Sequence, residues 1–515
     1  MQTHARIAAW LFLGLPLAGC GEADLGRQGL EVRFAATTQA LGEPDGLPVE
    51  VRSLQLEAYR QGVRVGTSGC LDAADHQLGA ALDVAPGAGL RLEVSGWGAE
   101  GCAGQATWFG LTDGLEVIEG EAIDADVYVL RRGWRLNPAR GALPGGRAFA
   151  TATPLPDGRV LLAGGFDQLT EEAPGRVRLG AACDGLVYDP SSARVVRVLP
   201  LGACRGLHQA LQLSDGSVWL LGGTSEASLD LSGSLRPVLR ASEAGRTGLV
   251  ERYDPVSGTV ESVGSFAPLA RADTAAAVQN LDRMVVLGGR TQELRSSDLI
   301  TGGPDGAWYL FAGRLLSPRA GARAASLQDG AVDYTLVVGG NLGGDEDAER
   351  VAFGSMSVEP VPFLDPQPEL TLVGHGLDAA PDGGFLVSGG MRPTPGARPR
   401  NELWVASPGN GGYLAEARAL AVPRAHHLTA WASPRDGQPA LVVAGGLNYS
   451  LAGAREIELC SAEGVCELAA DLLGGGPVGL AGAPTPDGAL LLAGGLAVSA
   501  DGELGLSDRL ELLAP

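Results

Sequence analysis

The chain of 515 residues contains no lysine, so arginine and histidine are its only basic side chains. Lysine and arginine together number 38 against 60 acidic residues, which gives a formal net charge of -22. Nucleic-acid binding needs a clustered basic surface that displaces counterions from phosphate, and an excess of acid opposes it. We therefore expect no nucleic-acid partner.

Aromatic residues are scarce, at 5% of the chain, whereas glycine occurs 78 times and proline 32 times. This composition favours many short strands joined by tight turns over long helices. The chain is also too long for one ordinary hydrophobic core, so it should hold a small and a large domain or a set of repeats. We predict an all-β protein.

Motifs that carry chemistry are also missing. The sequence has no glycine-rich phosphate loop and no Gly-x-Ser-x-Gly nucleophile elbow. The acidic run at residues 344–347 lacks the spacing of a calcium loop and is interpreted as a solvated charge run. Five aspartates occupy predicted tight turns, where aspartate accepts backbone hydrogen bonds, namely Asp157, Asp215, Asp329, Asp382 and Asp487. We expect no cofactor and no metal.

Long apolar runs are absent except at the N-terminus. Residues 7–15 are apolar but too few to span a bilayer, and they are typical of a secretory signal core. The following Leu17-Ala18-Gly19-Cys20 resembles the lipobox of bacterial lipoproteins. That resemblance implies a signal peptide at 1–19, a lipidated Cys20 that carries palmitate-type acyl chains, and a linker at 20–29. The alternative is a signal peptide followed by a chance cysteine.

The resemblance also implies a location. The protein would be exported and anchored to the cell envelope by its acyl chains, with the membrane as a partner. Gly21 stands where an inner-membrane retention signal has aspartate, so the outer membrane is favoured.

Six further cysteines form three local pairs: Cys70 with Cys102, Cys183 with Cys204, and Cys460 with Cys466. In an oxidising compartment this arrangement suggests three disulfides, although six cysteines allow fifteen connectivities. A metal site would need closer ligand spacing and neighbouring histidines.

From about Gly146 one pattern recurs: a strand of small residues, a tight turn, a strongly apolar strand and then Gly-Gly. The apolar strands with their glycines are 160–165, 218–223, 284–289, 336–340, 385–390, 441–446 and 490–495. The glycine pairs are 49 to 66 residues apart, which is enough for a four-stranded sheet per unit. Short sheets cannot bury both faces alone, so seven such blades should stack around an axis.

These units resemble the kelch family, including the central domain of galactose oxidase, over about the last three quarters of the chain. The resemblance rests on the Gly-Gly pairs, on Tyr-Asp-Pro at 188–190 and 253–255, and on Pro-Arg at 318–319 and 423–424. It implies a seven-bladed kelch-like β-propeller at 133–515. The tryptophan usual in the last strand of each unit is missing from the first two units.

The two ends of the repeat region complement each other. The seventh unit stops after its third strand, while residues 133–137 form an isolated strand with Trp134 before the first unit. We expect that strand to complete the seventh blade, which removes an open sheet edge. Residues 30–132 show alternating strands, including 50–59, 90–95, 115–118 and 125–130, and predict a small immunoglobulin-like β-sandwich.

The loops that follow each Gly-Gly pair are the longest, at 166–180, 224–248 and 391–400, so we expect the ligand-binding rim on their face. Arginines stand at the start of successive first strands on that side, namely Arg147, Arg205, Arg271, Arg319 and Arg424. Their guanidinium groups could bind an acidic sugar or another carboxylate. The alternative, which we favour, is that they bond neighbouring blades.

Four histidines, His208, His375, His426 and His427, also lie on first strands. In the copper oxidases that share this propeller, histidines converge with tyrosine and a Cys-Tyr crosslink, and we find no such signature here. Structural or solvated histidines are therefore expected.

Two functions remain open. The preferred one is a non-catalytic lipoprotein that binds a protein or glycan at the loop face. The second is a periplasmic sugar isomerase that resembles the kelch-type N-acetylneuraminate epimerases.

Overall fold

The computed structural model describes residues 29–36, 46–139, 141–231, 238–242, 245–291, 294–329, 332–343, 346–364, 367–394, 396–433, 438–472, 475–498 and 503–515. These residues form β-strands and three short 3-10 helices, at Glu100–Cys102, Ala267–Leu269 and Asn280–Asp282. The predicted all-β class is thus confirmed. The predicted signal peptide and Cys20 lie outside the described residues. Among those described, no helix is long and apolar enough to cross a membrane.

The N-terminal part is one seven-stranded sheet that is nearly closed on itself. In spatial order its strands are Val63–Asp72, Ser53–Arg60, Gly87–Trp97, Trp108–Val117, Ala122–Arg131, Gly29–Ala36 and Gly79–Leu82. The two outer strands contact each other. Alternate residues of the central strands, such as Leu54 and Leu56, point into one buried core.

The pairing within this sheet is short at one place. Strand Trp108–Val117 pairs with Ala122–Arg131 through Trp108 and Phe109 only, and the strands on both sides of this short pairing pack on the same core. Strand Gly29–Ala36 runs parallel to Ala122–Arg131. Because one hydrogen-bonded order runs through all seven strands, the immunoglobulin-like sandwich is not confirmed and stays a prediction.

Seven four-stranded antiparallel sheets follow, each with its strands in the order a-b-c-d from the inside outward. The a strands are Thr151–Pro154, Gln209–Gln212, Ala275–Gln279, Arg323–Asp329, Gly376–Ala379, Leu428–Ala432 and Ala481–Pro484. The b strands are Val160–Ala163, Val218–Leu221, Arg283–Leu287, Val332–Val338, Phe385–Ser388, Ala440–Ala444 and Leu490–Ala493.

The c strands are Asp184–Asp189, Leu249–Asp254, Leu299–Gly302, Ala348–Ala352, Arg400–Gly409, Glu456–Cys460 and Leu510–Ala514. The d strands are Arg194–Pro200, Thr259–Ser265, Trp308–Phe311, Val358–Pro360, Gly412–Arg424, Cys466–Asp471 and, for the seventh sheet, Arg135–Pro138. The seventh sheet therefore combines both ends of the region, since Arg135–Pro138 pairs with Leu510–Ala514.

The Gly-Gly pairs turn the chain out of the b strands toward the next sheet. Both glycines of the first pair, Gly164 and Gly165, are left-handed, with φ of 55° and 89°. A Cβ on Gly164 would lie 2.2 Å from the carbonyl oxygen of Arg205, so no other residue fits. This close approach explains why the sequence repeats glycine here.

The second glycine of every pair donates its backbone N–H to a carbonyl of the following sheet. The bonds are Gly165 to Arg205, Gly223 to Arg271, Gly289 to Arg319, Gly340 to Leu372, Gly390 to Arg424, Gly446 to Pro477 and Gly495 to Arg147. The last of them leads from the seventh sheet back to the first. Each neighbouring pair of sheets also shares an apolar core. The sheets thus form a closed, β-propeller-like fold.

The long connections after the b strands, and the connection before the a strand of the seventh sheet, carry strands of their own. A second four-stranded sheet contains Phe166–Ala173, Arg176–Ala181, Glu226–Asp230 and Val238–Ala241. A two-stranded hairpin of Arg290–Thr291 and Leu294–Arg295, and a three-stranded sheet of Pro477–Val478, Leu496–Val498 and Leu504–Leu506, complete the set.

The three predicted disulfides, Cys70–Cys102, Cys183–Cys204 and Cys460–Cys466, are present. Because disulfides persist in oxidising compartments, they suggest an extracellular or periplasmic protein.

Candidate functional site

The five arginines considered for a ligand rim are buried, with exposed fractions of 3% for Arg147, 0% for Arg205, 3% for Arg271, 0% for Arg319 and 0% for Arg424. Each donates Nη1 to the carbonyl of the first glycine in its own sheet's Gly-Gly pair: Gly164, Gly222, Gly288, Gly339 and Gly445, respectively. Each also pairs with a carboxylate at or near the start of strand c: Asp184, Glu251, Asp298, Glu349 and Glu458. We call them the framework arginines.

The pair of Arg319 and Glu349 shows why these side chains are not available to a ligand. Both are fully buried, and Glu349 also accepts hydrogen bonds from the backbone N–H groups of Leu316, at 2.7 Å, and Ser317, at 3.1 Å. The charges are therefore neutralised and their hydrogen-bonding capacity is used within the sheet. The framework arginines are therefore too deeply buried to form a ligand-binding rim. Their side-chain hydrogen bonds run within single sheets, whereas their backbone carbonyls accept hydrogen bonds from the preceding sheet, as the alternative interpretation expected.

Leu372 and Pro477 take the place of a framework arginine in the two remaining sheets, since their carbonyls accept the equivalent hydrogen bonds, and we call all seven the framework positions. Two residues after each framework position lies a residue with a left-handed backbone. These residues are Phe149 (φ 56°), Leu207 (54°), Asp273 (56°), Gly321 (73°), Gly374 (66°), His426 (55°) and Gly479 (66°). We call them the axial ring. Four of them are not glycine. A residue with a side chain is strained in the left-handed backbone conformation, and contacts elsewhere in the fold must offset the free energy of that strain. Such strained residues cluster at functional sites.

Backbone hydrogen bonds connect neighbouring members of the axial ring. The N–H of His426 donates to Gly374 at 2.6 Å, that of Gly479 to His426 at 3.1 Å, and that of Phe149 to Gly479 at 2.7 Å. Gly321 donates to Asp273 at 2.8 Å. These bonds hold the unusual conformation in place, so the directions of the ring side chains are fixed by the fold.

All seven members of the axial ring line a cavity of about 250 Å³, the axial cavity. Its wall also contains Thr151 and Gln209 of a strands, Leu239 of an inserted strand, and Pro393 of the connection between the b and c strands of the fifth sheet. None of the framework arginines lines it. The charged side chains in its wall are Arg290, Arg295, Arg323 and Asp273.

Asp273 sits among the three cavity arginines. Its Oδ2 accepts a hydrogen bond from Nε of Arg290 at 3.3 Å. Burial raises the pKa of the Asp273 carboxyl, while the positive charges of Arg290, Arg323 and Arg295 oppose that rise. A carboxylate with a raised pKa in a cavity has the character of a proton acceptor.

The cavity arginines use Nε within the protein. Arg295 donates Nε to the carbonyl of Gly340 at 2.5 Å, and Arg323 donates Nε to the carbonyl of His375 at 3.3 Å. For Arg290 and Arg323, no hydrogen bond from an Nη atom is found within the described part of the chain. Their guanidinium edges can therefore receive an anion in the cavity.

His426 is the second ionisable member of the axial ring. Its ring meets that of Phe149 edge to face, with centroids 6.2 Å apart. Burial, and then the charge of Arg323, lower the pKa of His426 to about 4. The imidazole is therefore neutral near pH 7 and can donate one hydrogen bond and accept another.

The other three histidines are buried, and two of them, His208 and His427, also line the axial cavity. Nε2 of His208 is 3.0 Å from the hydroxyl of Thr151, and Nε2 of His427 is 2.9 Å from that of Ser388. His375 is 1% exposed and lies against Gly339 of the preceding sheet. Burial lowers the pKa of His208 and of His375 to about 3.

Sequence reasoning missed Asp273 and the arginine pair at 290 and 295. The signal was present, since the axial ring follows the framework position at a constant offset of two residues. The residue type there varies among phenylalanine, leucine, aspartate, glycine and histidine, so no repeated letter marks it. Arg290 directly follows a Gly-Gly pair, a place where we predicted only a loop from the sequence.

No protein-family model matches the sequence, and no curated protein matches it. A solved structure is similar in fold: a novel fungal alcohol oxidase with catalytic diversity among the AA5 family, in complex with copper. The TM-score is 0.54 at 14% sequence identity, and the match covers 75% of this chain and 76% of that one. At this identity the likeness establishes the fold alone.

This likeness contradicts our preferred function. We expected a non-catalytic binding module and no enzyme, yet the solved structure that shares the fold is an alcohol oxidase. The lack of a recognisable catalytic motif in the sequence was therefore not sufficient reason to predict a non-catalytic role.

The copper of that oxidase can be tested against the residues of this cavity. Neither tyrosine nor cysteine lines it, and the described residues hold no group of three histidine, cysteine, aspartate or glutamate side chains arranged for a metal. His208 and His427 already bond hydroxyl groups, and three arginines repel a cation. The residues do not fit copper, and we derive no step through it.

Proposed function

We propose that this protein is an enzyme that performs acid–base chemistry on a small anionic substrate bound in the axial cavity. One observation carries the proposal: the strained axial ring presents a carboxylate and a neutral imidazole to a cavity with three arginines. The ligand that we expected at the loop face is then a small anion, such as an acidic sugar, rather than a macromolecule.

Asp273 and His426 belong to the third and the sixth sheet of seven, so they lie on roughly opposite sides of the axis. A substrate between them has a proton acceptor on one side and a hydrogen-bond donor on the other. Asp273 would accept a proton from the substrate, and neutral His426 would stabilise the negative charge that develops on a substrate oxygen. The arginines would bind the anionic group and fix its orientation.

The finer architecture is part of the proposal. Seven similar sheets, seven Gly-Gly pairs and a closing strand support a seven-bladed, kelch-like propeller at 133–515. An alternating core supports an independent domain at 30–132. The lipobox-like segment supports a lipid anchor at Cys20 and a place on the outer membrane, and the disulfides agree with export.

Hydrogen exchange in deuterated water tests the chemistry without knowledge of the product. A set of small hydroxy, keto and sugar acids would be incubated with the protein, and deuterium at carbon measured by mass spectrometry. We expect incorporation into at least one acid and a loss of about 10²-fold or more in Asp273→Asn. Asparagine tolerates the left-handed backbone, so this variant removes the charge alone.

The matched control is Asp305→Asn, which removes an aspartate from the exposed turn between strands c and d of the third sheet. It should exchange deuterium at the rate of the unchanged protein. Equal exchange in Asp273→Asn and the unchanged protein would contradict the proposed role of Asp273.

A further inference from the structure

We infer that the substrate of the axial cavity is a carboxylic acid whose body is apolar and about as large as one aromatic ring. This inference rests on the proposed function, because it concerns the same cavity, and it names the part of the substrate that the arginines do not contact. The distribution of polar and apolar side chains around the cavity wall carries it.

The charged side chains of the wall come from two neighbouring sheets. Asp273, Arg290 and Arg295 belong to the third sheet and its hairpin, and Arg323 to the a strand of the fourth. Asp273 forms an ion pair with Arg290, and Arg323 interacts with the charges of Asp273 and Asp378. Arg323 is nevertheless exposed to solvent. The Nη atoms of Arg290 and Arg323, described above, can bind one carboxylate of a ligand on this side.

The seventh, first and second sheets line the same cavity with apolar side chains. They supply Leu480, Phe149, Leu207 and, from an inserted strand, Leu239, which we call the apolar wall. Phe149, Leu207 and Leu239 pack against the same apolar core, so they belong to one surface. All four residues are only half-buried. The described part of these three sheets contributes no arginine and no carboxylate to the cavity.

The phenyl ring of Phe149 has a fixed place in the apolar wall. It meets the rings of Phe166 and His426 edge to face, in each case with centroids 6.2 Å apart. A Cβ on Gly479 would lie 2.6 Å from Cδ1 of the ring, so only glycine leaves room for the ring there. A ring held by three neighbours loses little conformational entropy when a ligand packs on it.

Half-buried apolar side chains in a cavity leave apolar surface in contact with water. Removing that surface from water is favourable, and it contributes about fourfold in affinity for each methylene group of a ligand. A polar body, such as that of an acidic sugar, would lose hydrogen bonds to water at the apolar wall and gain none there. The wall therefore favours an alkyl or an aromatic group.

The size of the cavity limits that group. An apolar cavity of about 150 Å³ is known to bind benzene, and the axial cavity measures about 250 Å³. The remaining volume accommodates a carboxylate and the carbon atoms that react, but not a second ring. Together with the proposed proton transfer at carbon, this size favours a hydroxy or keto acid that carries one aryl or alkyl group.

Calorimetric titration with a series of carboxylates tests the inference. Acetate, butyrate, hexanoate and phenylacetate keep one charge and enlarge the apolar body, whereas glucuronate has a polar body. We expect the affinity to rise about three- to fourfold per methylene group along the straight chains. Phenylacetate should bind at least tenfold more tightly than acetate and than glucuronate.

Variants of the apolar wall assign this gain to the cavity. Leu207→Asn introduces a residue type that tolerates the left-handed backbone, and Leu239→Gln keeps the side-chain length. Each should weaken phenylacetate about tenfold and leave acetate within about twofold of the unchanged protein. Leu310→Asn, on the exposed outer strand of the third sheet, is the matched control and should bind both acids normally.

A charge variant tests the acid group separately from the apolar body. Arg323→Gln should weaken acetate and phenylacetate by the same factor, about tenfold or more. Arg178→Gln, on an exposed inserted strand away from the cavity wall, is the matched control and should bind both normally.

The outcomes separate the two proposals. The inference of an apolar body is wrong, and the proposed function stands, if Arg323→Gln weakens binding but affinity does not rise from acetate to hexanoate. The same holds if glucuronate binds more tightly than phenylacetate, or if the two apolar-wall variants bind phenylacetate normally. If no probe binds, or if Arg323→Gln changes nothing while thermal unfolding shows a folded protein, both proposals are overturned.

Discussion

Two sets of arginines occupy the same fold and differ in their place in the repeat, in their burial and in their carboxylate partners. The framework arginines stand in register with the repeat, are almost fully buried and are each paired with a carboxylate of the same sheet. The cavity arginines, Arg290, Arg295 and Arg323, stand outside that register and lie around Asp273, which forms an ion pair with Arg290, while Arg323 also interacts with the charge of Asp378. Repetition therefore marks the residues that hold the fold, whereas the residues that we propose to bind a ligand depart from it.

The largest expected effect is a loss of stability when a framework arginine loses its carboxylate partner. Glu349→Ala leaves Arg319 buried without its counter-charge and should lower the free energy of unfolding by about 3–5 kcal/mol, as measured by denaturant titration. The control is Glu416→Ala, whose pair with Arg418 is exposed and should matter by less than about 1 kcal/mol. Equal losses in the two variants would contradict the distinction between framework and surface pairs.

The buried histidines just before the a strands should make the fold sensitive to acid. The pKa of His208 is about 3 in the folded protein, whereas the unfolded chain takes up the proton near pH 6.5. The unfolded state thus binds more protons between these values, and stability is lost as pH falls below 6.5. His208→Gln should reduce the loss between pH 7 and pH 5 by about 2 kcal/mol.

Thermal unfolding at several pH values measures that difference. The same variant at pH 8 is the internal control, because His208 is unprotonated there in both the folded and the unfolded protein. A dependence on pH that is identical in the variant and the unchanged protein would show that His208 does not couple protonation to folding.

A smaller effect is expected in the axial ring. Gly374→Ala places a Cβ on a left-handed residue, 3.0 Å from Cδ2 of His426. The backbone strain should cost about 1–2 kcal/mol and displace His426. Gly411→Ala is matched in its left-handed backbone but has open space around it. Stability should fall in both, whereas anion affinity and deuterium exchange should change in Gly374→Ala only.

The contrast between repeated and non-repeated residues also explains which features could be predicted from the sequence. The Gly-Gly pairs could be predicted because each needs two left-handed residues and tolerates no side chain, which leaves one amino acid. The strand at Arg135–Pro138 was recognisable because the last repeat lacks its outer strand. The three cysteine pairs were recognisable because they are local.

The candidate site was harder to predict from the sequence than the fold was. Arg147 and its equivalents were conspicuous because they repeat, and their burial depends on carboxylates about 30 to 50 residues away on strand c. Asp273 and His426 share a backbone conformation but no residue type, so the sequence gives no repeated signal for them. Arg295 faces Arg290 only because a hairpin forms in a segment that looked like a loop.

Locating a bound anion in a crystal is the most direct test of the proposed site in the axial cavity. Selenate has the shape and charge of sulfate, and its selenium gives an anomalous signal that identifies it. We expect the strongest anomalous peak of a selenate-soaked crystal within the axial cavity, in contact with Arg323 and with Arg290 or Arg295. Peaks confined to exposed arginines such as Arg178, with none in the cavity, would contradict it.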